Sequence, residues 1–355
     1  MLVMRRPFFH TRLKKSSIIG LDIGSYSLKV VQLERKGQRY RLLNFGILPL
    51  APEAIIEGTV IDREQVIEAI KNLMEIERIK TKEVVISLSG PGVIVKKIRL
   101  PYKSEEDLTS NIYWSIDKYI PFNPEEVNLD FQVIDSTLGG EADLVLVAAK
   151  KELIEEYTNL IWEAGLKPAV VDIDLFAAEN SYELNYGLSN NQTTAFIDIG
   201  SSITNISVIQ GEQTLFAEDI SGGGHDLTRA IEREYEVDFY EAEALKMGVS
   251  VQGISCNHLI PFMLSVIENT IEKIRELLYP FYSLGIAKII LSGGGAKLQG
   301  LDRILSQELS LPVEIANPFK NIEYDSKQFD PEYINYSAPL AAVAVGLAAR
   351  HIPKQ

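Results

Sequence analysis

The chain has 355 residues, of which 46% are hydrophobic and 24% charged, and a formal net charge of −14 at pH 7. This is the composition of an ordinary globular protein, and the length is sufficient for two domains with sizeable cores. The acidic balance argues against nucleic-acid binding through a basic face, while one cysteine and four histidines without paired spacing exclude a disulfide framework and a cysteine or histidine metal cluster.

The first 15 residues differ from the rest, because they carry five basic side chains and no acidic one. Their few apolar residues are interrupted by Pro7, so neither a signal-peptide core nor a membrane span is predicted there. We predict a disordered basic lead over residues 1–15, with weak attraction to anionic lipid as the alternative.

A β-hairpin is predicted at residues 18–33, where apolar β-forming residues flank a turn rich in Gly, Asp and Ser. Gly24 lets the backbone come close to a ligand, and consecutive N–H groups in such a turn form a concave anion site. Lys29 can add a positive charge beside a phosphate, and Asp22 is placed to hold the water shell of Mg²⁺. Taken alone, an Asp-x-Gly turn between strands is more often only a turn.

A compact β-α-β-β-α unit is predicted after the turn at residues 89–92. Its elements are a strand at 93–100, a helix at 104–119, strands at 129–134 and 143–149, and a helix at 152–164. The first helix leads into a dense apolar and aromatic run, WSIDKYIPF, at residues 114–122. Such a run is most often ordinary core. The alternative is a partly exposed patch that takes an extended peptide, formed by Trp114, Tyr119, Ile120 and Phe122.

The hairpin motif recurs at residues 194–210, where Asp198 and Gly200 stand at the positions of Asp22 and Gly24. LDIGS and IDIGS lie 176 residues apart, about half the chain. This internal repeat predicts two similar halves, each presenting a hairpin to a shared cleft.

Two glycine-rich turns follow the second hairpin. Gly222–Gly224 allow another close approach of the backbone to a phosphate, and Gly293–Gly295 join a buried strand to a helix. Between them, a helix at 238–247 places Glu243 and Lys246 on one face. A solvent-exposed ion pair of little energetic value is the alternative to a ligand-binding role for these two residues.

The chain resembles the actin-like ATPase superfamily, which includes actin, Hsp70, sugar kinases, MreB and FtsA. The resemblance lies in two phosphate motifs, LDIGSYSLK and IDIGSSITN, and an adenosine motif, LSGGGAKLQG. Within the superfamily it most resembles the PilM family of type IV pilus assembly, over nearly the whole chain after about Ser16. The resemblance implies a two-domain actin-like (ribonuclease H-like) ATPase fold of the α/β class, with an FtsA/PilM-type β-α-β-β-α subdomain inserted in the first half.

The same resemblance implies the domain boundaries. The first core domain covers residues 16–92 and 169–192, and the inserted partner-binding subdomain covers 93–168. The second actin-like domain covers 193–338, and a helix returns to the core over 339–355. Only IPKQ follows this helix, whereas FtsA-like proteins end in a basic amphipathic membrane helix, so the chain end favours PilM.

ATP and Mg²⁺ are the cofactors that the resemblance implies. Asp22 and Asp198 would hold Mg²⁺ through water, and Glu243 and Lys246 would touch the ribose and adenine. The implied cofactor-binding residues are Asp22, Gly24, Ser25, Tyr26, Lys29, Asp198, Gly200, Ser201, Ser202, Thr204, Gly223, Gly224, Glu243, Lys246, Gly293, Gly294 and Gly295.

Asp174 is the candidate catalytic residue that the resemblance implies. It precedes a helix where the superfamily often carries an acidic residue near the attacking water, although it departs from the usual Glu-Pro pair. A helix N-cap is the alternative role. Because no second positioned base is visible, ATP hydrolysis is expected to be slow or vestigial.

The PilM resemblance also implies a partner, the N-terminal peptide of a PilN-like inner-membrane protein. This peptide would enter the groove between the inserted subdomain and the first core domain, with Trp114, Tyr119, Ile120 and Phe122 as the contact candidates. Other pilus platform proteins are further implied partners, and self-association is left open. The implied location is cytoplasmic, at the inner face of the membrane, with membrane contact only through the partner.

Three functions remain open from the sequence. The first is a nucleotide-loaded scaffold of the pilus assembly platform, a two-state switch whose nucleotide state sets the partner groove. The second is a small-molecule kinase, and the third is a filament-forming relative of FtsA or MreB in cell division or shape. We favour the scaffold, because no substrate-binding insertion or clear catalytic base is evident.

Overall fold

The computed structural model describes residues 18–350, apart from residues 38, 103, 137–139, 190–191 and 255. The basic lead predicted over residues 1–15 lies outside the described residues. The strands are β1 (Ile18–Ile23), β2 (Ser27–Lys36), β3 (Arg39–Pro49), β4 (Ile55–Ile56), β5 (Thr59–Val60), β6 (Glu83–Leu88), β7 (Val93–Pro101), β8 (Val127–Ser136), β9 (Glu141–Lys150), β10 (Lys167–Ile173), β11 (Thr193–Ile199), β12 (Ile203–Gln210), β13 (Gln213–Ser221), β14 (Ile286–Ser292), β15 (Val313–Ile315) and β16 (Ile322–Glu323).

The helices alternate with these strands along the chain. They are α1 (Arg63–Ile76), α2 (Glu105–Ser115), α3 (Lys151–Glu163), α4 (Asp174–Tyr186), α5 (Gly224–Tyr235), α6 (Phe239–Lys246), α7 (Cys256–Leu278), α8 (Leu301–Leu309), α9 (Pro331–Ser337) and α10 (Ala342–Ala348). In the part of the chain that the structure describes, no helix combines the length and apolar character needed to cross a membrane.

Two large sheets carry the fold, one in each half of the chain. The first has the strand order β10-β6-β1-β2-β3-β16, and the second has the order β13-β12-β11-β14-β15. In each sheet an antiparallel hairpin is flanked by a parallel strand, β1–β2 by β6 and β11–β12 by β14. Strand β6, EVVISL, is buried along five of its six residues, as expected for a parallel strand covered on both faces. The two similar halves predicted from the internal repeat are therefore present.

The inserted unit forms a separate three-stranded antiparallel sheet with the order β7-β9-β8. Helix α2 packs on this sheet through the buried Leu108 and Ile112, and Ser104 Oγ caps its first turn by accepting from Asp107 N at 3.1 Å. The predicted β-α-β-β-α order is observed. Helix α3 packs against β10 and α1 as well as against β9, with Leu160 fully buried in the core of the first half, so this helix joins the inserted unit to the first half.

The chain also returns to the first sheet earlier than the sequence predicts. Ile322 and Glu323 form β16, which pairs in parallel with β3, so this part of residues 193–338 belongs with the first half. The pairing could not be read from the sequence, because the strand has two residues and sits in a polar stretch. Arg350 ties the end of the described chain to the first sheet through a buried ion pair with Asp172, 3.0 Å long.

Helix α10 packs very closely on β1 and α4, because the facing residues are Ala and Gly. A Cβ placed on Gly346 would lie 1.7 Å from the carbonyl oxygen of Ala177 in α4. A Cβ on Gly20 would lie 2.2 Å from the carbonyl oxygen of Ala344 in α10. Glycine at these positions sets the distance between α10 and the strand that carries Asp22.

Gly20→Ala is expected to lower the free energy of unfolding by about 1–3 kcal/mol, because the new methyl group presses on helix backbone that cannot move aside as a side chain can. The measurement is urea denaturation followed by circular dichroism. Gly46→Ala in β3 is the matched control, since its Cβ would meet only the flexible side chain of Glu77, 2.5 Å from Oε1. Equal losses of stability in both variants would contradict the close packing of α10 on β1.

Candidate functional site

The two hairpins place an aspartate at the end of each first strand. In the β1–β2 hairpin Asp22 lies opposite Lys29, and the Lys29 Nζ approaches Asp22 Oδ2 at 3.2 Å. Both side chains are largely withdrawn from solvent, with 13% and 11% of their surface exposed. In the β11–β12 hairpin Asp198 lies opposite Asn205, and its Oδ2 accepts from Ser292 Oγ at 2.5 Å. The repeat found in the sequence is therefore also present in the structure.

Each hairpin turn leaves backbone amides available for an anion. The turns are closed by Gly24 N donating to Ser27 O at 3.2 Å and by Gly200 N donating to Ile203 O at 2.9 Å. Among the described residues, four amides of these turns donate to no protein acceptor, namely those of Ser25, Tyr26, Ser201 and Ser202. Because a buried or half-buried N–H needs an acceptor, consecutive free amides of this kind form an anion-binding concavity.

The glycine loop before α5 lies directly on the second turn. Gly224 N donates to Gly200 O at 2.9 Å, and the amide of His225 donates to Ser201 O at 2.8 Å. A Cβ on Gly223 would lie 2.5 Å from Gly200 O, so no larger residue fits at this position without displacing the turn. The loop and the turn therefore form one continuous backbone surface.

Thr204 is bonded to the glycine loop. Its side chain is fully buried and donates from Oγ1 to Gly222 O at 2.9 Å. This bond helps to hold the glycine loop in place, and the cofactor-binding role implied for Thr204 stays a prediction.

Glu243 and Lys246 of α6 meet at the same loop. Lys246 Nζ donates to Gly224 O at 3.1 Å and to Thr228 Oγ1 at 2.7 Å, and it also forms an ion pair with Glu243. Burial lowers the pKa of the Lys246 ammonium, and the Glu243 carboxylate acts in the opposite direction. The exposed-pair alternative is therefore wrong, because 9% of the Lys246 side chain and 15% of the Glu243 side chain are exposed.

The first turn faces this cluster across the cleft. Burial raises the pKa of the Tyr26 hydroxyl, and the negative charge of Glu243 raises it further. Tyr26 belongs to the first half of the chain and Glu243 to the second, so the two halves approach each other here. The glycine turn at residues 293–295 packs against the end of β11, where Gly293 adopts a φ of +80° and a Cβ on it would lie 2.4 Å from Ile199 O. Gly294 and Gly295 continue this turn.

The carboxylates at the base of the cleft are held in an unfavourable charged state. Burial raises the pKa of Asp22 to about 6, and the nearby Asp174 carboxylate adds to the shift while Lys29 opposes it. Burial likewise raises the pKa of Asp198 to about 6, against the hydrogen bond from Ser292 and with contributions from Asp22 and Asp174. The three carboxylates therefore lie in one cleft and interact electrostatically.

Asp174 is the first residue of α4, and Ile173 occupies the N-cap position. The N-cap alternative is therefore wrong. Its carboxylate also raises the pKa of Asp219, which places it between the two halves of the chain.

These residues fit Mg²⁺ bound through water. Among the described residues, no group of three or more His, Cys, Asp or Glu side chains is arranged to hold a metal directly. Mg²⁺ keeps several waters and takes one or two carboxylates together with phosphate oxygens. Asp22 and Asp198 match that donor set, because their charged forms are disfavoured by burial and by neighbouring carboxylates and a divalent cation would stabilise them.

Sequence reasoning missed two polar residues beside the site. Asn205 Nδ2 donates to Asp219 Oδ1 at 2.7 Å, and burial raises the pKa of Asp219 to about 7. A signal existed for Asn205, because it occupies in the second hairpin the position that Lys29 occupies in the first. Asp219 had a weaker signal, an acidic residue just before the glycine loop.

The aromatic run of the inserted unit is split between core and surface. Trp114 is 89% exposed, whereas Ile120 is 4% exposed and lies in the core of the inserted unit. Tyr119 and Phe122 are partly buried against that core. The expectation that Ile120 belongs to an exposed patch is wrong, because the 3₁₀ turn at 116–118 directs the chain back onto the sheet.

Comparison with known proteins identifies the family to which the chain is similar. The family model described as type IV pilus assembly protein PilM matches residues 20–352. A solved structure of a PilM-PilN type IV pilus biogenesis complex is 27% identical, with a TM-score of 0.84, and the match covers 96% of this chain and 100% of that one. The cell division protein FtsA of Enterococcus faecalis is 22% identical over 410 residues, covering 95% of this chain and 91% of FtsA. The structure of MreB5 of Spiroplasma citri bound to ADP is 15% identical, with a TM-score of 0.55, covering 93% of this chain and 94% of that one, and shows the same fold.

The raised pKa values of the buried carboxyls predict a falling stability with rising pH. Asp22, Asp198 and Asp219 bind protons more tightly in the folded state than in the unfolded state, since their folded-state pKa values are about 6, 6 and 7. Their contribution to the free energy of unfolding is therefore fully present below about pH 4 and is lost as the pH rises through 7. Asp219→Asn is expected to reduce this slope by up to about 1.4 kcal/mol per pH unit. The measurement is urea denaturation at pH values from 4 to 8 in the absence of nucleotide.

Asp143→Asn is the control for the pH series. Arg99 holds the pKa of Asp143 below its ordinary value, so this carboxyl changes charge outside the pH window and the slope should stay as in the wild type. A wild-type slope in Asp219→Asn would show that the Asp219 carboxyl is already charged at acidic pH.

Proposed function

Because the chain belongs to the type IV pilus assembly protein PilM family, we propose that it is an ATP-binding scaffold of the pilus assembly platform at the inner membrane. The observation that carries the nucleotide part is the pair of facing hairpin turns, with four free amides, the buried Asp22 in one hairpin and the half-buried Asp198 in the other. Such an arrangement suits a polyphosphate with its divalent cation better than any neutral ligand.

Each part of Mg-ATP has residues that would hold it. The amides of the two turns and Lys29 bind the phosphates, and Asp22 and Asp198 hold Mg²⁺ through water. When bound, Mg²⁺ offsets the negative charge shared by the phosphates and the two carboxylates. Glu243 and Lys246 contact the ribose and adenine beside the glycine loops. MreB5 of Spiroplasma citri, which has the same fold, was solved bound to ADP and to AMPPNP, and this supports a nucleotide in the cleft.

Hydrolysis is proposed to be slow. Asp174 is the carboxylate best placed to orient a water, since it lies at the N-terminal turn of α4 and interacts with Asp22 and Asp198. A single carboxylate without a second positioned base gives weak general-base catalysis. The nucleotide then acts mainly by closing the cleft, and its differential contacts with open and closed states set the partner groove.

The proposed partner is the N-terminal cytoplasmic peptide of a PilN-like membrane protein. The similarity to a PilM-PilN complex, at a TM-score of 0.84, supports this partner. The groove lies between the inserted sheet and the first half, and Trp114, Tyr119 and Phe122 are the aromatic contacts that the chain offers on the inserted unit. Membrane contact is then indirect, at the cytoplasmic face, and contacts with other platform proteins or with a second copy would build on the same complex.

Lys29→Ala is expected to weaken Mg-ATP binding by about 10- to 100-fold, because it removes a charge-assisted hydrogen bond and leaves Asp22 without its counter-charge. Isothermal titration calorimetry with Mg-ATP measures the affinity. Lys36→Ala, in the same strand but with its side chain 51% exposed, is the matched control and should bind as the wild type does. Unchanged affinity in Lys29→Ala would remove the phosphate role of this strand, and rapid ATP turnover that requires a small metabolite would favour a kinase.

Trp114→Ala is expected to weaken binding of the PilN-like N-terminal peptide by about 10-fold or more, as truncation of an exposed aromatic anchor does at interfaces. The chain supplies its own control, because its second tryptophan, Trp162, is 54% exposed and lies on α3, not in the aromatic run of the inserted unit. Fluorescence anisotropy of a labelled peptide gives both affinities. If Trp162→Ala weakens peptide binding and Trp114→Ala does not, the peptide binds elsewhere on the first half and not in the proposed groove.

A further inference from the structure

Four polar side chains form a row across the second sheet. Ser292 of β14 lies opposite Asp198 of β11, Asp198 lies opposite Asn205 of β12, and Asn205 lies opposite Asp219 of β13. Directly opposed residues on neighbouring strands project to the same face of a sheet. Hydrogen bonds join the row at both ends, from Ser292 Oγ to Asp198 Oδ2 at 2.5 Å and from Asn205 Nδ2 to Asp219 Oδ1 at 2.7 Å. The row therefore begins beside the proposed metal carboxylate.

The row continues beyond the sheet into the first half of the chain. The second oxygen of Asp219, Oδ2, accepts from the backbone N–H of Gly90 at 2.7 Å. Gly90 has a φ of +90°, and a Cβ on it would lie 2.8 Å from Ile203 Cδ1 and 3.0 Å from Glu57 O. Ile203 is the residue that follows the second hairpin turn. The end of this turn and Asp219 of β13 therefore both contact the chain at Gly90.

Gly90 belongs to the connection that carries the inserted sheet. Residues 89–92 join β6 of the first sheet to β7 of the inserted sheet. Val93 N donates to Gly90 O at 2.9 Å, and Lys150 N donates to Gly92 O at 3.0 Å. The connection is thus bonded both to the start of β7 and to the end of β9, the two places where the chain enters and leaves this sheet.

We propose that Asp219 is a positioning residue that transmits nucleotide binding from the second hairpin to the inserted sheet through the Gly90 connection. The proposal rests on the proposed function, since it assigns to one residue the link between the nucleotide and the partner peptide. Nucleotide phosphates on the Ser201 and Ser202 amides shift the start of β12, and Asn205 carries that shift to Asp219.

The two hydrogen bonds to Asp219 are directional, whereas the apolar contacts between the halves are not. Apolar packing between β13 and the inserted sheet also joins the two halves, but such contacts tolerate small displacements. A half-buried carboxylate that accepts one hydrogen bond from each half loses either bond at a cost. Asn205 is 5% exposed, so water does not readily replace the bond that it makes. Asp219 therefore moves with both halves or not at all.

The test measures coupling between the two ligands in the full chain. The dissociation constant of a labelled PilN-like N-terminal peptide is measured with and without saturating Mg-AMPPNP, and the affinity for Mg-AMPPNP alone is measured by calorimetry. In the wild type the nucleotide should change peptide affinity by a factor of about 5 to 150. In Asp219→Asn this factor should fall below about twofold, while each ligand alone binds within about threefold of the wild type.

Asp219→Asn keeps the side-chain volume but turns one acceptor into a donor that faces a donor. Asn205→Ala is the second variant, because it removes the bond from the second half and leaves the Asp219–Gly90 bond in place. It should also lose the coupling. Glu218→Gln is the matched control, since Glu218 neighbours Asp219 in β13, points to the opposite face and is exposed. Circular dichroism confirms that each variant is folded.

Amide hydrogen exchange in the segment of this chain at residues 89–101 provides a second measurement, which does not require the partner peptide. Mg-AMPPNP should slow exchange there in the wild type and in Glu218→Gln, and should have no effect in Asp219→Asn. Wild-type coupling and exchange in Asp219→Asn would overturn the proposal. A wild type that binds both ligands independently would also overturn it, together with the proposed setting of the partner groove by the nucleotide, but would leave the proposed binding of Mg-ATP and of the peptide intact. A wild type that does not bind Mg-AMPPNP would overturn both.

Discussion

The structure depends on buried carboxylates that face one another across the cleft. Asp22 and Asp198 end strands of different sheets, and each is disfavoured in its charged form by burial and by neighbouring carboxylates, including Asp174. Lys29 supplies one counter-charge, 3.2 Å from Asp22. Like charges held this way in a low-dielectric site bind cations strongly, since a divalent ion relieves both the repulsion and the desolvation. A cleft built on this constraint is unfavourable when empty and is stabilised by the ligand that we propose.

The close packing behind β1 keeps Asp22 in position. Gly20 lies two residues before Asp22 in β1, and the backbone of α10 occupies the space into which a side chain at Gly20 would project. Helix α10 is itself pressed against α4 at Gly346, and α4 begins with Asp174. One helix of small residues thus supports two of the three carboxylates from behind. Because closely packed backbone cannot adjust continuously, Asp22 and Asp174 keep their spacing in the absence of a ligand.

The sequence predicted the parts of the site that depend on local pattern. The repeated Asp-x-Gly hairpins and the glycine turns were predictable because their conformation is set by a few adjacent residues. The link from Asp219 to Gly90 was not, because it joins residues 129 positions apart and depends on how two halves dock. The same limit applies to Ile120, which shares a run with the exposed Trp114 and is buried only because the chain turns back onto its sheet. Periodicity identifies an apolar residue but not the surface that will cover it.

The two hairpins differ at several equivalent positions, and one of these differences bears directly on the proposed roles of the cleft. Lys29 lies opposite Asp22, and Asn205 lies opposite Asp198. An ammonium at the first position neutralises its aspartate and faces the phosphate turn. At the second position an amide leaves Asp198 to the Ser292 hydroxyl and donates to the next strand. A lysine there would pair with both neighbouring carboxylates and occupy the space of the proposed metal. The neutral amide leaves Asp198 free for the metal that we propose and donates a directional hydrogen bond outward, and through this bond we propose that the second half both binds the nucleotide and transmits its presence.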